Sequence, residues 1–121
     1  MKLFNPSILA ILSFTNSMVY AACRATSPLG NPDLAKANID LMCSKIAGQY
    51  DPNTGVGNCV DLGTISYRVK AFNVKGIQNT LDQKTCVQYL KDDVGCPKGG
   101  QSIWPTTGWR TFVEPMLEKC T

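Results

Sequence analysis

Along residues 64–74, "TISYRVKAFNV", apolar and polar positions alternate with a period of two. Ile65, Tyr67, Val69 and Ala71 point one way, while Ser66, Arg68 and Lys70 point the other. That pattern predicts a strand with one buried face. The preceding "NCVDLG" reads as a shorter partner strand, with Gly63 near the turn. Alternation returns in "GWRTFVEP", where Trp109, Thr111 and Val113 oppose Arg110, Phe112 and Glu114. Pro115 cannot donate to a ladder, so this last strand is expected to end there or to lie at an edge. "CRATS" is a candidate short first strand.

Two segments follow a helical period instead. In "NPDLAKANIDLMCSKIAG", Ala35, Ile39, Met42 and Ile46 form one apolar face, with Cys43 beside it. Asn31 suits the N-cap, Pro32 the first turn and Asp33 the positive helix end, and Gly48 is a plausible stop. In "NTLDQKTCVQYLKDDVGC", Cys86, Leu90 and Val94 share a face with Tyr89. Thr80 and Gln83 match a capping box, and Gly95 supplies the stop. "QYDPNTGVGN" between the first helix and the strands has turn chemistry throughout. The order strand, helix, two strands, helix, strand predicts an α+β sandwich: two helices packed on a four-stranded, mainly antiparallel sheet.

The first residues, "MKLFNPSILAILSFTNSMVYA", have the layout of a secretory signal: Lys2, a short apolar run, then small residues at Val19 and Ala21. Removal of residues 1–21 leaves 22–121 as one domain. A lipoprotein signal ending in "YAAC" is the weaker reading, because Tyr20 stands where an aliphatic residue belongs. The six cysteines are Cys23, Cys43, Cys59, Cys86, Cys96 and Cys120, an even number that reads as three disulfides in a secreted chain. With no Cys-x-x-Cys pair and no histidine, the usual metal-ligand spacings are missing, and no metal or cofactor is expected. The net charge of +3 is scattered, without the basic stripe of a nucleic-acid binder. The apolar run at the start is too short to span a bilayer as a mature helix, so no membrane insertion is expected.

Catalytic chemistry is hard to find. The absence of histidine removes the commonest general base and the usual Ser-His-Asp and Cys-His arrangements. Asp92 and Asp93 are helix neighbours that point about 100° apart, and they read as a solvated helix end rather than an acid–base pair. Gly99-Gly100 lacks a phosphate-loop pattern. No catalytic residue is expected. The segment "GCPKGGQSIWPTTGWR" holds both tryptophans. Trp109 fits a buried strand position, whereas Trp104, read as a loop residue, is either a packing ring or a contact residue. Lys98, between Pro97 and Gly99, reads as exposed, and Lys98 and Trp104 are the candidate binding residues.

The signal, the cysteine layout, "CPKGG", "GWR" and the terminal "KC" resemble those of small secreted cysteine-rich fungal proteins. The order of elements is similar to the killer-toxin α-subunit fold of smut fungi, which recurs among plant-pathogen effectors. The toxin subunit carries more cysteines than the six here. The resemblance implies a secreted, non-enzymatic virulence effector that binds a host protein or a second effector, with host tissue as a further compartment. A looser likeness to small fungal glycan-binding proteins implies a lectin-like or toxin-like defence protein as the alternative, and an inhibitor of trypsin-like enzymes presenting Lys98 is a distant third. Six cysteines allow fifteen pairings. The preferred one joins Cys59 to Cys86, Cys43 to Cys96 and Cys23 to Cys120, on the geometric ground of strand to second helix, helix to helix, and end to end.

Overall fold

In a computed structural model that describes residues 20–120, the chain forms three helices, a five-stranded antiparallel sheet and a two-stranded one. The signal segment proposed at 1–21 lies outside the described residues, except for Tyr20 and Ala21. The elements are β1 (Tyr20–Cys23), α1 (Pro32–Ala37), α2 (Ile39–Ile46), β2 (Gly48–Tyr50) and β3 (Gly55–Asp61). They continue as β4 (Ser66–Asn73), β5 (Asn79–Leu81), α3 (Gln83–Val94), β6 (Gly100–Trp104) and β7 (Trp109–Met116). The α+β class agrees with the sequence pattern, but the two-helix, four-strand layout is too simple.

The differences have local causes. The first predicted helix breaks at Asn38, whose side-chain amide donates to the Leu34 carbonyl and whose backbone N–H turns back to Ala35 and Lys36. Such side-chain bonds compete with the helical ladder. The capping box at Thr80 and Gln83 does not form. Thr80 belongs to β5, and Asp82 caps α3 instead by accepting from the Thr85 N–H at 2.7 Å. The "CRATS" strand is displaced: β1 ends at Cys23. Most of "QYDPNTGVGN" is strand rather than turn, as Gly48–Tyr50 pairs with β5 and Gly55–Asp61 with β4. Pro115 does not end β7. It pairs with Tyr67 of β4 at a point where β6, whose last partner is Val113, no longer runs alongside.

The sheet order is β1-β6-β7-β4-β3, and the helices cover one face of it. Tyr67, Val69, Ala71, Trp109 and Val113 point into that covered side, where they meet Met42, Leu90 and Val94. Gly30 approaches Tyr67 so closely that a Cβ there would lie 2.3 Å from the phenol oxygen. This gap lets the Tyr67 hydroxyl accept from the Asn31 N–H beside α1. Tyr50 of β2 meets Trp109 edge-on, with ring centroids 4.9 Å apart.

At the far end of β4 the buried Asn73 ties two loops and the start of β5 together. Its amide donates to the carbonyls of Asp51 and Ile77, and its oxygen accepts from the Lys75 N–H and the Asn79 amide. An alanine there leaves three part-buried backbone groups, the Asp51 and Ile77 carbonyls and the Lys75 N–H, without this partner. Asn73→Ala is expected to lower stability by about 2–3 kcal/mol in urea unfolding, and a loss below about 0.5 kcal/mol would show that water replaces those bonds.

The disulfides join Cys23 to Cys96, Cys43 to Cys86 and Cys59 to Cys120. All six cysteines are paired, but none of the three preferred pairings is present. The reason is which side of the sheet each cysteine faces. Cys59 stands opposite Arg68 on the uncovered face, so the sheet itself separates it from Cys86 on α3. Cys86 lies on the buried face of α3, opposite Cys43 of α2. Cys23 and Cys120 are at opposite edges of the sheet, and Cys96 emerges from α3 beside β1.

Candidate binding face

The face of the five-stranded sheet turned away from the helices is uncovered. Strand alternation dictates its residues. β4 sends out Arg68, Lys70 and Phe72, and β7 sends out Arg110, Phe112 and Glu114. β6, unrecognised in the sequence, adds Gln101 and Ile103. Edge strand β3 contributes glycines at 55 and 57. A Cβ at Gly55 would lie 2.6 Å from the Phe72 ring, so its absence lets that ring lean over β3. The result is a groove of about 310 Å³ between Phe72 and Lys70 on one side and Ile103 and Gln101 on the other, with Arg110 and Phe112 along its floor. Phe72 is 40 % exposed, and Ile103 is similarly open.

Cations dominate the charge of this face. The Arg24 guanidinium lies 4.5 Å from the centre of the Phe112 ring and pairs with Glu114 at 3.5 Å. The Lys70 ammonium lies 5.2 Å from the same ring. Arg68, Lys70 and Arg110 have no carboxylate within ion-pair distance among the described residues. Lys70 also lines a second, more polar hollow together with Arg68, the Cys59–Cys120 bridge and Gly57.

Beneath the groove, Asp93 anchors the end of α3 to the sheet. It is 1 % exposed, so the reading of Asp92 and Asp93 as a solvated helix end fails for the second of the two. Asp93 accepts from Ser102 of β6 at 2.6 Å and from Thr111 of β7 at 2.9 Å. Burial pushes its carboxyl up to about 6, although the two hydroxyls favour the charged form. Both hydroxyl residues also line the groove floor. Asp92 next to it is exposed.

The two binding residues expected from the sequence are not brought together. Trp104 is not in a loop: it ends β6 on the covered side, stacked on Tyr89 of α3 with ring centroids 4.0 Å apart. Its Nε1 is buried with no hydrogen-bond partner among the described residues. Lys98 lies beyond the other end of β6, partly buried, with its ammonium 3.4 Å from the Ala25 carbonyl. The sequence reading placed Phe112 on the outward side of the last strand without giving it a role, and it did not place Phe72 of β4 at all.

Among the described residues no group of three or more His, Cys, Asp or Glu side chains could hold a metal ion, and no helix is long and apolar enough to cross a membrane. No protein-family model matches this chain, and neither does any curated protein.

Proposed function

We propose that this chain is a secreted, non-enzymatic binding protein, an effector of the kind its cysteine layout resembles, and that it grips a protein partner with the open sheet face. The partner is a host protein or a second effector. The observation that carries this reading is the groove at Phe72, Ile103 and Phe112 on a sheet braced by disulfides at both margins. A lectin site centres on one displayed ring ringed by polar groups, whereas a protein contact uses a wider apolar patch. Three apolar side chains across three adjacent strands favour the protein contact.

The substitution that tests this is Phe72→Ala. Its ring is exposed, so the variant is expected to melt within a few degrees of the parent. Binding to a partner purified from host tissue, measured by calorimetry, is expected to weaken at least about tenfold, as for a central aromatic contact. Undiminished binding would remove the face from consideration. A glycan-array signal abolished by the same substitution would support the lectin-like alternative instead.

A further inference from the structure

The chemistry of the partner can be read from the order of side chains on this face, given that the open face is the contact surface. Strand register sets the outward residues in rows across the sheet. Ile103, Arg110 and Phe72 stand side by side in one row. Gln101, Phe112 and Lys70 form the next, and Glu114 and Arg68 the one beyond. Adjacent strands lie about 4.8 Å apart. A ligand crossing the first row therefore meets an apolar group, a cation and a second apolar group within roughly 10 Å.

Three of the cations of this face lack a carboxylate partner among the described residues. Of the two carboxylates on the face, Glu114 is engaged by Arg24 and by the Ser27 hydroxyl, and Asp61, at the end of β3, accepts from the Ser66 hydroxyl and the Cys120 N–H. Arg68, Lys70 and Arg110 are all exposed, and none has a carboxylate within ion-pair distance among the described residues. Like charges this close cost free energy that an incoming anion relieves, and a guanidinium can take a carboxylate with two parallel hydrogen bonds. We propose that the partner is an acidic protein segment whose carboxylates are flanked by apolar side chains. The carboxylates meet Arg110, Lys70 and Arg68, and the apolar groups seat against Ile103 and Phe72. A second copy using the same face would set cation against cation, so the chain itself does not fit. A bare polyanion would neutralise the cations but leave Ile103 without an apolar counterpart.

The test is a random short-peptide library displayed on phage, selected on the oxidised, folded protein, with the selected peptides then measured against a variant carrying Arg68→Gln, Lys70→Gln and Arg110→Gln. Selected peptides are expected to carry Asp and Glu at about twice the library frequency or more, next to aliphatic or aromatic residues. A synthetic consensus peptide is expected to lose roughly tenfold or more in affinity for the triple variant and for Phe72→Ala. Its affinity for the unaltered protein is expected to fall about tenfold on raising salt from about 50 to 300 mM, a readout that needs no variant. Neutral peptides that ignore salt but fail on Phe72→Ala would overturn the acidic partner while leaving the open face as the contact. Peptides indifferent to Phe72→Ala and to the triple variant alike would overturn both. A sulfated oligosaccharide or single-stranded oligonucleotide that binds more tightly than the peptide and displaces it would assign the cations to a polyanion and reject the proposal.

Discussion

Replacing Trp109 with alanine is expected to lower the stability of the protein by about 3–5 kcal/mol, the usual cost of removing a large buried aromatic. The ring is 2 % exposed and sits at the start of β7 on the covered side of the sheet. There it meets the Tyr50 ring edge-on, so its loss removes both buried area and an aromatic pair joining the small sheet to the large one. Trp104, on the same side of β6, provides the comparison. It is only partly buried, and it stacks on Tyr89, whose hydroxyl is hydrogen-bonded to that of Thr107. Trp104→Ala is expected to cost about 2 kcal/mol, between a surface change and a core truncation. Urea unfolding of the two variants checks the order, and equal losses would mean that the Tyr89 stack is as much core as the Trp109 site.

The second large effect is one of pH. An acid whose carboxyl is raised by folding binds its proton more tightly in the folded state than in the unfolded chain. For Asp93 that preference is complete below its ordinary value of 3.8 and is lost as the pH rises through about 6. A shift of this size corresponds to about 3 kcal/mol. Stability is therefore expected to decline between about pH 4 and pH 6.5, by roughly 10 °C or more in melting temperature for a domain of this length. Asp61 and Asp82 have the opposite sense. Hydrogen bonds, from Ser66 to the first and from the Thr85 backbone to the second, hold them low, so what they contribute is lost only in stronger acid. In the Asp93→Asn variant the side chain keeps hydrogen-bonding capacity toward Ser102 and Thr111 without the charge. Its melting temperature is expected to be nearly flat across that window and higher than the parent's at pH 7. A parental pH slope in the variant would show that another group is responsible.

The strand pattern of β4 and β7 was legible because each is buried on one side only, and the inward positions of Tyr67, Val69, Ala71, Trp109, Thr111 and Val113 follow directly from it. The apolar face of α3 was legible for the same reason. β6 was not, because glycines and prolines on both sides present it as part of a long loop. The two-residue alternation of Gln101 and Ile103 against Ser102 and Trp104 is too short to stand out. Asn38 and Asp82 carried weak capping signals that only tertiary packing resolves. Disulfide pairing depends on which side of the sheet each cysteine faces, and that follows from strand register rather than from spacing. The candidate face was half visible: the alternation exposes the cations of β4 and β7, but they are scattered in the sequence. Antiparallel pairing of distant strands brings Lys70 beside Phe112 and Arg110 beside Phe72.

The loop closed by Cys23 and Cys96 overlaps the one closed by Cys59 and Cys120. Every peptide bond from Cys23 to Cys120 thus lies inside at least one covalent ring. A single nick anywhere in that span opens the chain without shedding a fragment, so the molecule stays one piece until a second cut or a reductant arrives. The same bridges pin both margins of the sheet, one at β1 and the other at β3. A nicked molecule therefore keeps its rows of outward side chains tethered at both margins of the sheet.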